Sequence, residues 1–162
     1  MSSNKATLHL LCGKIAAGKS TLAAQLATLP GTVVISEDHW LSRLYPGEMT
    51  SVADYVRRSA HLRNAMGSHL VDLLKSGISI VLDFPANTPA NRAWMRTVFE
   101  EAGASHQLHY LDVSDAVCKA RLRARNAGGD HAFAATDQQF DLITSHFVAP
   151  TADEGFTIVI HR

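Results

Sequence analysis

Cysteine is scarce in this chain of 162 residues: Cys12 and Cys118 are the only two, and neither has a CxxC partner. That excludes a disulfide framework and a cysteine-rich zinc site. An excess of one charge is also missing, with 15 Lys and Arg against 15 Asp and Glu. A protein that coats polynucleotide carries a basic excess or a basic face, so an extended nucleic-acid partner is disfavoured. No run of 18 apolar residues exists and the N-terminus lacks the apolar stretch of a signal peptide. Membrane insertion and export are therefore not expected, and the cytoplasm is the expected compartment. Nine histidines are present without an HExxH. His106 and His109, three apart in a strand-like run, should face opposite sides of that strand and read as structural. There is no internal repeat and no low-complexity tract. The length suits one compact domain over residues 1–162.

Against these absences stands one motif without a mismatch. Gly13 to Ser20 read G-K-I-A-A-G-K-S, the pattern G-x-x-x-x-G-K-[ST]. Such a loop turns successive backbone N–H groups toward phosphate oxygens, its lysine reaches the β and γ phosphates, and its hydroxyl can ligate magnesium. Chance produces the pattern in roughly one chain of this length in two hundred. Context argues against chance: the apolar run Ala6–Cys12 precedes the loop as a strand, and the helix formers Thr21–Ala27 follow it. The expected nucleotide-binding set is Gly13, Lys14, Ala16, Ala17, Gly18, Lys19, Ser20 and Thr21, with Lys19 also catalytic and Ser20 a metal ligand. Cys12, at the strand end, reads as a small buried packer.

Strand-like and helix-like segments alternate along the chain. Strands are expected at about 6–12, 32–35, 78–82, 106–111 and 156–160, and helices at about 19–28, 51–75, 89–102, 114–126 and 136–147. Gly77 and Gly103 close two of the helices and Pro89 opens another. This alternation predicts an α/β fold with a parallel sheet covered on both faces. Ligands then gather at the carboxyl ends of the strands.

Three acids fall at or just past those ends: Asp38, Asp83 and Asp112. Phosphoryl transfer needs an acceptor oriented by a carboxylate and charge neutralised around the moving group. Asp38 is the candidate base, with Glu37 its rival one position away. Asp83, ending an apolar strand, is a candidate magnesium ligand. Residues 118–125 carry Lys119, Arg121, Arg123 and Arg125, with Arg121 and Arg125 on one helix face ahead of Gly128-Gly129. They read as a lid over about 118–135 whose guanidinium groups clamp phosphate, Arg125 foremost as a catalytic cation. Asn87 and Arg92, in and just beyond a loop stiffened by Pro85 and Pro89, are candidates to bind the acceptor or orient Asp38. Residues 39–63, with His39, Trp40, Tyr45, Glu48, Tyr55, Arg57, Arg58 and His61, read either as an acceptor module or as an ordinary helical hairpin.

The loop, the acid in S-E-D-H-W, the D-F-P-A-N-T-P-A-N-R run and the R-x-x-x-R-N segment resemble the small P-loop kinases. The similarity is greatest to the group that includes the kinase half of polynucleotide kinase, zeta toxins and chloramphenicol phosphotransferase. It implies a single-domain P-loop fold, a five-stranded parallel sheet of order 2-3-1-4-5 with helices on both faces, an ATP donor, magnesium and a mobile lid. It carries the base onto Asp38, the loop lysine and serine onto Lys19 and Ser20, and the lid arginine onto Arg125, with Arg121 beside it. Polynucleotide kinases of the group place an arginine three residues beyond the base. Leu41 stands there in this chain, which weighs against a 5′-hydroxyl polynucleotide acceptor unless Arg43 or Arg92 serves instead. The guanine motif N-K-x-D and the transporter signature L-S-G-G-Q are both absent. The expected function is ATP-dependent phosphotransfer to a hydroxyl of a small polar acceptor: a metabolite, a sugar nucleotide or an antibiotic. The alternatives are a 5′-hydroxyl polynucleotide kinase and a nucleotide-dependent switch or ATPase.

Overall fold

The strands are β1 (Thr7–Cys12), β2 (Thr32–Ser36), β3 (Ser79–Pro85), β4 (Ser105–Leu111) and β5 (Ile158–His161). The helices are α1 (Lys19–Leu26), α2 (Glu37–Leu44), α3 (Val52–Lys75), α4 (Pro89–Ala102), α5 (Asp115–Gly128) and α6 (Asp137–Thr144). They come from a computed structural model that describes residues 5–128 and 136–162. Every strand pair is parallel, and the order is β2-β3-β1-β4-β5. This is the α/β architecture that the alternation predicts, in the order that the resemblance implies.

The central strands β1, β3 and β4 are apolar because both of their faces are covered. On one face Leu8, Leu10, Ile80 and Leu82 pack against Leu62, Met66, Leu70 and Leu74 of α3 and Met95, Val98 and Phe99 of α4. The four α3 residues recur every fourth position, the stripe that seats a helix on a sheet. On the other face Leu11 and Val81 meet Ala23 of α1, and Leu111 meets Cys118, Leu122 and Phe140 of α5 and α6. Each fully buried side chain of this kind contributes about 1.5–3 kcal/mol, more than an exposed ion pair supplies. Apolar burial therefore holds the sheet.

The helix ends carry the expected signals. Ser51 caps α3 by accepting from Asp54 N. At its far end Gly77 has φ 88°, and the N–H groups of Gly77 and Ile78 reach back to Leu74 O and Leu73 O. That paired return is a Schellman motif, so glycine is needed there. Thr88 Oγ1 accepts from Asn91 N at the start of α4, with Pro89 in the first turn.

Several elements depart from the sequence reading. Residues 37–44 form a helix, α2, whose cap is Ser36 and whose first turn holds Glu37 and Asp38. β3 continues to Pro85, so Asp83 lies within the strand, opposite Ser36 of β2. α5 runs on through Asn126 to Gly128. A break over Asn126-Ala127-Gly128-Gly129 is what the sequence suggests, and the helix instead continues through its first three positions; Gly129 and the other lid residues to 135 lie outside the described residues.

His109 and His106 do face opposite sides of β4. His106 stacks on Phe99 with ring centroids 3.9 Å apart. His109 joins a row of three rings across β1, β4 and β5: His9 Nδ1 lies 3.0 Å from His109 Nε2, and His109 Nδ1 lies 2.9 Å from His161 Nε2. With one N–H on each neutral ring, the three satisfy one another in a single direction. His9 and His109 are almost wholly buried. Burial lowers the pKa of both, His109 to about 4, where the neighbouring histidines add to the effect. A lowered pKa in the folded state means that the unfolded chain binds more protons below its own value of about 6.5. Stability contributed by the neutral row is thus present above pH 6.5 and lost as pH falls toward 4. Urea unfolding of the parent and of His109→Gln across this interval should show an unfolding free energy that drops in the parent by up to about 1.4 kcal/mol per pH unit for each proton taken up, with a shallower drop in the variant.

Candidate active site

The loop after β1 is built on two left-handed residues, Ala16 at φ 63° and Gly18 at φ 107°. Alternation of this kind turns successive N–H groups to one side and makes an anion cradle. α1 opens at Lys19 directly behind it, adding the positive end of a helix. Gly13 sits tight: a Cβ there would lie 3.2 Å from both Ala17 Cβ and Leu111 Cβ. Lys19 Nζ donates to Gly13 O at 2.5 Å and Lys14 O at 2.9 Å, closing the loop around its own lysine. Burial lowers the Lys19 pKa, opposed by the negative charge of Asp83. Ser20 and Thr21 are exposed at the start of α1. Lys14 turns outward to Asp115 at 2.6 Å.

Two candidate residues from elsewhere in the chain close on this loop. Asn87 pairs its amide with the Gly13 peptide, accepting from Gly13 N and donating to Gly13 O, both at 3.0 Å. Arg121 Nη1 donates to Ala17 O at 3.3 Å. The other cations of α5 divide their roles. Lys119 pairs with Asp141 and Arg123 with Asp137, tying α5 to α6. Arg125 lies near enough to depress Lys19 by its charge, and its Nε is buried without a hydrogen-bond partner among the described residues.

The acids gather on the same edge. Burial raises the Asp83 pKa, the Asp38 charge raises it further, and Lys19 opposes both. Asp38 is exposed on the first turn of α2. Glu37, its neighbour, is buried, and burial is also what raises its pKa, against the Tyr55 hydroxyl bonded to it. Asp112 sits apart, past β4, with Arg162 at 3.7 Å. Cys12, under the loop, has its thiol pushed up to about 11 by burial, as a packing residue would.

Beside the loop lies a cavity of about 420 Å³. Its walls are Lys14, Ile15 and Lys19, then Glu37 with Tyr55, Val56, Ser59 and Arg63 of α3, the Pro85–Asn91 turn, and Ile143, Thr144, His146 and Phe147 of α6 and beyond. Tyr55, Ser59 and Arg63 are each four apart and form one polar stripe on α3. That spacing was visible in the sequence, yet Ser59 and Arg63 were not singled out. The acceptor module as expected divides in three. Tyr55 faces the cavity. Arg58 stacks over Tyr45 at 4.2 Å and pairs with Glu48, joining α2 to α3. His39, Trp40, Arg57 and His61 are exposed. Arg92 does not line the cavity. It is 1% exposed behind it, neither a surface helix residue nor turned to the loop, and donates to Glu154 Oε2, Ala86 O and Val148 O.

No helix among the described residues is long and apolar enough to cross a membrane. Solved structures share the fold at low identity. A protein from Chloroflexus aurantiacus provisionally assigned as a kinase has a TM-score of 0.75 at 21% identity, over 99% of this chain and 86% of its own. The APS kinase CysC of Mycobacterium tuberculosis, in complex with AMPPNP and APS, has a TM-score of 0.61 at 20% identity, over 96% and 88%. The Pnkp1/Rnl/Hen1 RNA repair complex contains a chain with a TM-score of 0.69 at 17% identity, over 90% of this chain and 45% of that one. No curated protein sequence matches. The model of the AAA domain family AAA_33 matches residues 8–150, and the chain belongs to that family of P-loop, kinase-like domains.

Proposed function

We propose that the protein transfers the γ-phosphoryl group of ATP to a hydroxyl of a small polar acceptor. The observation that carries this reading is the shared edge: Lys19 of the phosphate loop interacts with Asp83, Asp83 with Asp38, and Lys19 also walls a 420 Å³ cavity whose lining includes Glu37, the neighbour of Asp38. A volume of that size suits a small molecule.

In this reading the loop N–H groups from Gly13 to Thr21 hold the β and γ phosphates, and Lys19 leaves its two carbonyls to meet them. Asp38 takes the proton from the acceptor hydroxyl. That oxygen bonds to the γ phosphorus, the bond from phosphorus to the β,γ-bridging oxygen breaks, and ADP leaves with the electron pair. Arg125 and Arg121 balance charge on the moving group. The Ser20 hydroxyl and the Asp83 carboxylate are hard oxygen donors of the kind magnesium takes alongside phosphate and water. Magnesium would supply further neutralisation of the phosphates. Asn87 fixes the loop through Gly13, and Arg92 fixes the turn that carries Asn87. ATP as donor is supported by the absent guanine motif, and the cytoplasm is the proposed compartment.

The test is ADP release across an acceptor library with the parent and Lys19→Met. Release that depends on one acceptor and vanishes in the variant is expected. Release that no acceptor stimulates points to a switch or ATPase, and labelling confined to 5′-hydroxyl oligonucleotides points to an end kinase.

A further inference from the structure

The cavity contains a buried carboxyl that is half satisfied. Glu37 is 2% exposed, and its Oε1 accepts from the Tyr55 hydroxyl. Among the described residues, Oε2 is buried with no hydrogen-bond partner. The nearest cation, Arg63 Nη1, stands 3.9 Å away and donates instead to Ser59 Oγ at 3.4 Å, so it is outside hydrogen-bond reach of Oε2. A buried acceptor left unpaired costs about 1–3 kcal/mol, and more when charged. An orphan of this kind on a cavity wall calls for a partner that brings a hydrogen.

The surroundings narrow what that partner is. The lining also carries apolar side chains, Val56 and Ile143, left 56% and 44% exposed, and Phe147. Such side chains favour an apolar body on the ligand. Of the charged side chains that line the cavity, Lys14 is paired with Asp115, Lys19 is held by the Gly13 and Lys14 carbonyls, and Glu37 stands with Arg63 as its nearest counter-charge. A carboxylate, sulfate or phosphate has no hydrogen to give Oε2.

On the phosphotransfer reading above, we propose that the cavity selects an alcohol bearing a second hydrogen-bond donor, preferably an ammonium, on an apolar body. The second donor bonds Glu37 Oε2, the body lies against Val56, Ile143 and Phe147, and the reacting hydroxyl faces Asp38. An amino alcohol satisfies all three contacts. Glu37 is then a specificity-determining residue.

Calorimetry with three probes of one size tests this without turnover: phenylethanolamine, styrene glycol and mandelate, which carry an ammonium, a hydroxyl and a carboxylate at the same position. Phenylethanolamine should bind tightest and mandelate weakest, at least about tenfold apart, because a charge-assisted hydrogen bond exceeds a neutral one by about that factor. Glu37→Gln should shrink the spread below about threefold by weakening phenylethanolamine alone, and Glu37→Asp should keep the order. Mandelate binding as tightly as phenylethanolamine, or no probe binding, overturns the proposal. So does a Glu37→Gln variant that weakens all three alike, the mark of a merely structural role. The two readings fail separately. If an acceptor without a second donor is phosphorylated, this inference falls and phosphotransfer stands. If no acceptor is phosphorylated, phosphotransfer falls and the probe order still decides the cavity's selectivity.

Discussion

An Asp38→Asn variant should bind ATP as the parent does and phosphorylate its acceptor about 10²–10⁴-fold more slowly, the usual contribution of a placed general base. Asn keeps the shape and removes the proton sink. Asp38 is exposed on the first turn of α2, so the substitution costs little stability beyond the favourable placement of an acid at a helix start, about 0.3–1 kcal/mol. Loss of rate therefore reads directly on chemistry. The neighbouring position gives the contrast. Glu37 is buried and bonded to Tyr55, so Glu37→Gln should raise the KM for the acceptor and leave most of kcat. Steady-state kinetics for both substrates, with single-turnover measurement of the transfer step, separate the two. A kcat that collapses in Glu37→Gln and survives in Asp38→Asn would reverse the assignment.

What the sequence made legible follows from the range of the interactions involved. The phosphate loop was readable because its mechanism resides in contiguous backbone N–H groups and one lysine. The strands were readable because burial on both faces leaves uninterrupted apolar runs. α2 had no bounds in the sequence, only the alternative of a helical hairpin over residues 39–63: it has eight residues, and the signal for it, Ser36 followed by two acids, also fits a turn. Asp83 stands at a strand end in the sequence because it closes an apolar run, whereas β3 continues to Pro85 beside a register shift in its pairing with β1. The polar partners were the least legible. Asn87 reaches Gly13 across 74 positions, and His9 reaches His109 across 100. Such pairings depend on sheet order, so no local pattern announces them. Arg92 illustrates the same limit: an arginine in a helix reads as surface, and only the packed C-terminal segment shows it buried.

That burial makes Arg92→Met the substitution expected to cost most stability. Arg92 is 1% exposed and holds three acceptors at once: Glu154 Oε2 at 3.0 Å, Ala86 O at 3.0 Å and Val148 O at 2.8 Å. Met fills similar volume but leaves the Glu154 carboxylate and two carbonyls without their donor. Removing one partner of a buried ion pair costs about 3–5 kcal/mol. At about 2–4 °C per kcal/mol for a chain of this size, the Tm should fall by roughly 10 °C. Arg92→Lys keeps the charge but not the fork that spans three acceptors, and should fall part of the way. Arg92→Met combined with Glu154→Gln should recover part of the loss, since the uncompensated charge is gone while Glu154 Oε1, which caps Thr151 N, is replaced by an amide that can still accept. The effect should reach the site as well. Ala86 precedes Asn87, and Asn87 clamps Gly13, so freeing the Ala86 carbonyl loosens the support of the phosphate loop. ATP affinity in Arg92→Met, measured by calorimetry well below its lowered Tm, should fall while Lys19 and Asp38 remain in place. An unchanged Tm would mean that the buried guanidinium contributes no more than the methionine that replaces it.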